Sequence, residues 1–275
     1  MAKPKKSAII LDGKALAEKI KLALRKEIIK LPSPPGLAAI LVGDDEASKI
    51  YLRLKEKAAT EIGINFHEYL CGNDCCPNVS EQDLLAMVEF LNNDPATSGI
   101  IVQLPLPKKF NTKKIIGAID PQKDVDGFHP QNKTGIIPPT ITAVIELLKT
   151  TGENLPGKNT LIIGKSDIFT RGLKKHLMAE LKIKKIKETK EITAGTKDSD
   201  IIVIAIGEAE ALKKNHIKPG AIIIDVGINK VKDKTVGDVD PKAAEIAGWL
   251  SPVPGGVGPL TVACLLRNVL ALAKK

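Results

Sequence analysis

The sequence predicts an α/β fold, and three observations carry that expectation. Short β-branched runs alternate with longer stretches of helical periodicity, the pattern of layered strands and helices joined by right-handed crossovers. The strand candidates are nearly continuous apolar runs, as parallel strands covered on both faces require. Aromatic residues make up only 3% of the chain, so the core must be built from Ile, Leu, Val and Ala. The 275 residues suit one large domain or two ordinary ones. With 43% hydrophobic and 27% charged residues, the composition is globular and excludes wholesale disorder, collagen and a disulfide-stapled miniprotein.

In chain order, helical periodicity covers 13–30, and the apolar run 37–42 predicts the first strand. Helices follow over 46–62 and 80–92, then a strand over 99–103. Pro121, Gly127, Pro130, Gly135, Pro138 and Pro139 punctuate the stretch 121–140, which reads as a linker or functional loop. Beyond it come a helix over 140–150, a strand over 160–163, a helix over 170–181, strands over 201–206 and 221–226, and a helix over 240–247. A second Gly/Pro cluster, Pro-Val-Pro-Gly-Gly-Val-Gly-Pro at 252–259, precedes a last helix over 259–273. No repeat of solenoid period is evident.

The 41 basic and 32 acidic residues give a net charge of +9. Residues 1–140 hold 19 basic and 17 acidic residues, and residues 141–275 hold 22 and 15. The segment 171–197 alone carries nine basic and three acidic residues. It reads either as a site for phosphate or another polyanion or as a solvated lysine-rich surface. Only four of the 41 basic residues are arginines, which favours a solvated surface over bidentate phosphate recognition. The scarcity of aromatics also argues against a single-strand nucleic-acid binder, which needs stacking platforms.

The start Met1-Ala2-Lys3-Pro4-Lys5-Lys6 leads into a very short apolar run that ends at Asp12. That is too short for a secretory signal. No run approaches the roughly 20 apolar residues of a membrane span, so the expected compartment is the cytoplasm. Cys71, Cys75 and Cys76 lie near His67 in a spacing that matches no standard zinc pattern, so no metal is expected.

Three segments carry candidate chemistry. In Ala47-Ser48-Lys49-Ile50-Tyr51-Leu52-Arg53-Leu54-Lys55, Tyr51 and Lys55 are four apart on a predicted helix and share a face. A ring beside an amine can hold a flat substrate and serve it with a proton carrier, provided that burial or a neighbour lowers the lysine pKa. The same pair also fits an amphipathic helix with a surface lysine. In Gly99-Ile-Ile-Val-Gln103-Leu-Pro-Leu-Pro107, Gln103 ends a strand, where open α/β sheets place their ligands. Its neutral amide can hydrogen-bond a lysine or simply cap a loop. In Lys123-Asp124-Val125-Asp126-Gly127-Phe128-His129-Pro130, two carboxylates are too few for a calcium loop. Asp126 can accept from the N–H groups of a heterocycle, or the Asp-Gly pair can serve as a turn.

Taken together, these segments resemble the bifunctional methylenetetrahydrofolate dehydrogenase/methenyltetrahydrofolate cyclohydrolase family. The resemblance runs in order from Asp12-Gly13-Lys14 through the three segments to Lys218-Pro-Gly-Ala-x-x-Ile-Asp-Val-Gly-Ile-Asn229, Gly237-Asp-Val-Asp240 and the 252–262 stretch. It implies two α/β domains with a cleft between them: a folate-binding catalytic domain over 1–141, and a Rossmann-like NAD(P)-binding domain over 142–264. The final helix, 265–275, would pack back on the first domain. It implies Lys55 as general acid/base, Tyr51 as the residue stacked on the folate, Gln103 as the group that orients Lys55, and Asp126 as the pterin holder. Pro254, Gly255 and Gly256 would approach the folate with their backbone. Gly164, Lys165, Ser166, Gly207, Ile228, Asn229 and Thr261 would contact the cofactor, NADP with NAD as the other possibility. Tetrahydrofolate derivatives would be the substrates, within a homodimer and without nucleic-acid or membrane partners.

The nucleotide side departs from the family pattern. Lys165 stands for an arginine, Thr170 for a glycine and Gly172 for a proline. A His-Ser-Lys-Thr type segment is replaced by Lys182-Ile-Lys-Lys-Ile-Lys-Glu-Thr-Lys190, and Pro138-Pro139-Thr140-Ile141 stands for Pro-Cys-Thr-Pro. There is no Gly-x-Gly-x-x-Gly fingerprint, so the nucleotide assignment rests on the resemblance. These departures keep open a cyclohydrolase with weak or lost dehydrogenase activity, and more remotely a polyanion-binding protein acting through 171–197.

Overall fold

The computed structural model describes residues 7–72 and 78–275. Cys75 and Cys76 lie outside the described residues. The chain divides into two units: Ala17–Pro139 with Val262–Lys275, and the segment through Leu16 with Thr140–Thr261. Its first elements are β1 (Ile9–Ile10) and α1 (Gly13–Ile28). The Asp12 carboxylate accepts the Ala15 N–H at 2.8 Å and caps α1.

The unit that begins at Ala17 is built on β2 (Gly36–Val42), which lies between β3 (Asn65–Cys71) and β4 (Gly99–Val102), all parallel. Alternation along β2 divides its side chains between two cores. Leu37, Ala39 and Leu41 pack with Leu24 and Ile28 of α1, Leu52 and Ile62 of α2 (Glu46–Ile62), and Leu265, Leu266 and Val269 of the last helix. Ala38, Ile40 and Val42 pack with Leu84, Val88 and Leu91 of α3 (Glu81–Asn93) and with Ile115 and Ile116 of α4 (Thr112–Ile116). Helix ends follow their capping signals. Asp45 accepts the Ser48 N–H, Ser80 and Asp83 form a capping box, and Gly63 closes α2 at φ 89°, a left-handed conformation that costs glycine nothing.

The last helix is tied to the loop after β4. Asn268 donates through Nδ2 to the Val125 carbonyl at 2.9 Å and the Ile137 carbonyl at 3.1 Å. Asn268 is buried, so removing its amide takes both hydrogen bonds out of the interior. Asn268→Ala is expected to cost about 1–3 kcal/mol, read as a lower denaturant midpoint at unchanged slope.

The other unit follows α5 (Pro139–Thr150). It holds β5 (Asn159–Gly164), α6 (Asp167–Glu180), β6 (Lys185–Thr189), β7 (Ile201–Ala205), β8 (Ile222–Asp225), the hairpin of β9 (Asn229–Val231) and β10 (Lys234–Val236), and β11 (Trp249–Leu250). Helix α7 (Val257–Ala273) closes the chain. Six strands form one parallel sheet in the order β1-β11-β8-β7-β5-β6. The chain leaves β5 for β6 on one side and returns to β7 on the other, which makes the carboxyl ends of β5 and β7 a topological switch point.

Several details differ from the sequence reading. Ile9 and Ile10 pair with Trp249 and Leu250, so β1 belongs to the six-stranded sheet, a placement that a first domain over 1–141 does not anticipate. The stretch 240–247 is a short 3-10 turn, Pro241–Glu245, capped by Asp240 onto the Lys242 N–H; its few residues make too few turns to propagate an α-helix. Helix α6 begins at Asp167 rather than 170, because Ser166 supplies the cap.

Candidate active site

Tyr51 and Lys55 project from successive turns of α2, and both are half-buried. Gln103 is the first residue after β4, and its N–H donates to the Ile40 carbonyl at 2.8 Å, which continues the β-ladder pattern. Its side chain is held at both ends. Nε2 donates to the Leu104 carbonyl at 2.9 Å, which leaves Oε1 to accept from Lys55 Nζ at 2.8 Å. The orientation of the amide is therefore set by the backbone, and the lysine meets a neutral acceptor.

Burial pushes the Lys55 pKa below its usual value, and the Asp126 carboxylate opposes that shift. Asp126 itself is raised to about 6, chiefly by burial, with Lys55 pulling it down and Asp124 pushing it up. No hydrogen bond within the described residues occupies the Asp126 carboxyl. The two aspartates of the segment do different work. Asp124 is consumed by its own loop, where it accepts the Gly127 N–H at 3.0 Å and the His129 N–H at 2.7 Å. Asp126 keeps its acceptors for another partner. A desolvated amine, a neutral acceptor that aims it and an uncommitted carboxylate can bind a polar heterocycle and carry a proton to or from it.

The nucleotide-side candidates belong to the other unit. Gly164 ends β5, and a Cβ there would lie 2.8 Å from the Thr170 methyl, so the threonine that departs from the family pattern packs against that glycine. Ser166 caps α6 by accepting the Phe169 N–H at 3.4 Å. Lys165 pairs with Glu208 at 2.9 Å. Together with Lys190, Glu191, Ile192 and Ile206, these two line a pocket of about 350 Å³. The pocket sits just past β5, β6 and β7, at the switch point. Gly207 adopts φ 68°, and a Cβ there would meet nothing within 4 Å, so the backbone is open to close approach by a ligand. Ile228 is exposed, and the Asn229 amide donates to Asp238 at 2.9 Å. Thr261 donates its hydroxyl to the Val257 carbonyl at 3.0 Å. In the 252–256 turn, the Gly255 carbonyl accepts the Lys14 N–H at 2.8 Å, and Gly13 approaches Gly256 too closely for any side chain. That contact explains why Asp12-Gly13-Lys14 accompanies the turn in the sequence.

The lysine-rich segment is an edge. Strand β6, Lys-Ile-Lys-Glu-Thr, lies at the margin of the sheet with most side chains exposed, where lysines discourage pairing with another chain. Lys174 pairs with Glu188 at 2.9 Å and Lys190 with Asp167 at 3.2 Å. Cys71 is buried at the end of β3, 4.0 Å from Met87 Sδ, while His67 is exposed. Among the described residues, no group of three or more His, Cys, Asp and Glu could hold a metal ion, and no helix is long and apolar enough to cross a membrane. The sequence reading assigned no role to Asp225 or Asp238, two buried carboxylates beside the nucleotide candidates.

The parallel sheet with its switch-point pocket, and the separate lysine–amide–carboxylate cluster, define the class: a two-unit α/β enzyme with a nucleotide fold and an acid/base site. Two family descriptions match the chain. Residues 11–126 match the catalytic domain of tetrahydrofolate dehydrogenase/cyclohydrolase, and residues 138–275 match its NAD(P)-binding domain. A bifunctional protein FolD from Halalkalibacterium halodurans is 41% identical over 282 aligned positions, covering 98% of this chain and 100% of that protein. The crystal structure of the bifunctional enzyme FolD from Campylobacter jejuni superposes with a TM-score of 0.90 at 38% identity, covering 98% and 99% of the two chains. A Trypanosoma brucei methylenetetrahydrofolate dehydrogenase-cyclohydrolase, solved with NADP cofactor and inhibitor, gives a TM-score of 0.88 at 32% identity over 98% of each chain. The chain belongs to the tetrahydrofolate dehydrogenase/cyclohydrolase family.

Proposed function

We propose that the chain oxidises 5,10-methylenetetrahydrofolate to the 5,10-methenyl form with NADP and then hydrolyses that product to 10-formyltetrahydrofolate. The observation that carries the reading is the Lys55–Gln103 hydrogen bond beside Asp126, in the part of the chain that matches the catalytic domain. The methenyl form is a cation with an electrophilic one-carbon centre. As water attacks that carbon, a neutral Lys55 takes the proton it sheds. Breaking the bond to N5, as the remaining hydroxyl proton is released to solvent, then leaves the formyl group on N10, and the proton on Lys55 can pass to the departing nitrogen. Gln103 holds the amine in line without adding charge. Asp126 accepts from the pterin N–H groups, and Tyr51 offers its ring to the folate face.

The switch-point pocket lies where a nucleotide fold receives part of its dinucleotide. Lys165 and Lys190 stand at its wall beside Glu191 and Glu208, and Gly207 leaves the backbone open beside it. When bound, NADP accepts the hydride released from the one-carbon unit. The chain's own part is to hold the dinucleotide through 164–166, Gly207, Ile228, Asn229 and Thr261, and to hold the folate through Tyr51, Asp126 and the 254–256 turn. The same reading includes a cytoplasmic homodimer without nucleic-acid or membrane partners, and a solution mass near twice 29.5 kDa checks the dimer.

A spectrophotometric assay tests the function. With methylenetetrahydrofolate and NADP, the methenyl chromophore is expected to appear together with reduced cofactor, and added methenyltetrahydrofolate is expected to disappear by hydrolysis. Hydrolysis without oxidation by either NADP or NAD would instead support a cyclohydrolase alone. The Lys165–Glu208 ion pair is the feature to examine then, since it sets a pocket cation against a neighbouring carboxylate.

A further inference from the structure

Two buried carboxylates in the nucleotide-binding unit have no part in the mechanism above. Asp238 follows β10 and is 0% exposed. Its Oδ2 accepts from the Ile206 N–H at 2.6 Å and the Gly207 N–H at 3.1 Å. Its Oδ1 accepts from the Glu208 N–H at 2.9 Å and from Asn229 Nδ2 at 2.9 Å. Three successive backbone N–H groups of the turn after β7 therefore close on one internal anion. Asp225, at the end of β8, holds the backbone around Asp238 from behind. Its Oδ1 accepts the Asp238 N–H at 3.1 Å and the Gly227 N–H at 2.9 Å, and its Oδ2 accepts the Val239 N–H at 2.9 Å.

Space around the pair is already filled. A Cβ on Gly227 would lie 2.1–2.4 Å from the Asp238 carboxylate atoms, and one on Gly237 would lie 1.8 Å from Asp225 Oδ2. The two glycines, the two aspartates and Asn229 are therefore one interlocked object drawn from 225–229 and 237–239. Gly207, bonded to Asp238, and Ile228, next to Asn229 in the chain, are exposed.

We propose that Asp238 is a positioning residue of the nucleotide site, fixing the turn 206–208 and the Asn229 amide in their cofactor-ready arrangement before any cofactor arrives. This inference rests on the assignment of Gly207, Ile228 and Asn229 to the cofactor. Asp238 touches no reacting atom in this scheme. A carboxylate can accept from all four donors at once, whereas an amide of the same shape must turn an NH₂ toward at least one of them.

The test is Asp238→Asn in the full chain, with binding of NADP and NAD measured by titration calorimetry beside methenyl hydrolysis. NADP affinity is expected to fall roughly ten- to hundredfold, while the hydrolysis rate stays within about twofold. A merely structural role would lower both together. Unchanged NADP affinity in the variant overturns the proposal. Absence of binding by either nucleotide to the unaltered chain overturns instead the nucleotide assignment on which it rests. If Asp238→Asn does not fold, amide exchange on the unaltered chain decides. The N–H groups of Ile206, Gly207 and Glu208 are expected to exchange slowly already without cofactor. Fast exchange that NADP suppresses would show that the cofactor orders the turn, and would refute the role of Asp238.

Discussion

Lys55→Met is expected to lower the rate of methenyltetrahydrofolate hydrolysis by about 10²–10⁴-fold, the range over which a positioned general acid or base acts. Methionine keeps an unbranched side chain of similar length and a good helix former on α2, so the change removes the proton carrier and little else. The Gln103 Oε1 that accepts from Nζ at 2.8 Å loses its donor, a cost of roughly 1–3 kcal/mol that a thermal melt would register. Hydrolysis followed by loss of the methenyl chromophore is the measurement, and retained hydrolysis would refute the role assigned to Lys55. Gln103→Glu is a graded companion. A carboxylate beside the amine favours its charged form, so the lysine would be protonated over more of the pH range and hydrolysis would slow at neutral pH.

Asp126→Asn is expected to separate binding from proton transfer. The carboxyl at this position has no hydrogen bond within the described residues, and burial raises it to about 6, so at neutral pH it is mostly an ionised acceptor awaiting N–H donors. An asparagine offers one oxygen and places an NH₂ against whatever the second oxygen received. Folate affinity is expected to fall roughly ten- to hundredfold, the cost of losing a hydrogen bond to a charged acceptor. The effect on Lys55 has the opposite sense. Asp126 is the group that raises the lysine pKa against burial, so removing its charge lowers that pKa further and leaves more neutral amine at any pH between the old and new values. The signature is a large rise in KM with a small change in kcat. Loss confined to kcat would contradict the division of roles.

Much of this arrangement was legible in the residues, for identifiable reasons. Strands β2, β4, β5, β7 and β8 are buried along nearly their whole length and therefore read as continuous apolar runs. Strands β3 and β6 did not register. They lie at sheet margins with most residues exposed, and Asn-Phe-His-Glu-Tyr-Leu-Cys and Lys-Ile-Lys-Glu-Thr look like loop or surface. The pairing of β1 with β11 joins residues about 240 apart in the chain, a distance over which local pattern carries no signal. The short apolar run before Asp12 gave no more than a very brief hydrophobic start.

The site shows the same limit. The four-residue spacing of Tyr51 and Lys55 placed both on one helix face without any further knowledge. That Lys55 meets Gln103 is a contact across 48 positions, and only the resemblance linked the two. The Asp238 cluster was hidden for a different reason. Its aspartates and glycines stood in recognised segments, yet a glycine read from sequence does not reveal that the space beside it holds another residue's carboxylate. The net charge also changed meaning. The excess at 171–197 falls on an edge strand and on ion pairs such as Lys174–Glu188, while the lysine with the central chemical role lies in the nearly neutral half.

The proton inventory of Lys55 is the most direct test of the central claim. With side-chain-labelled lysine, the resonance absent from the Lys55→Met spectrum identifies Nζ, and its pH titration is followed in the unaltered chain. The midpoint is expected below the ordinary 10.5 of a lysine, because burial outweighs the nearby carboxylate. It is expected to move lower still in Asp126→Asn. A midpoint at or above 10.5 would mean that the amine is an ordinary solvated cation, and would contradict its role as the proton carrier.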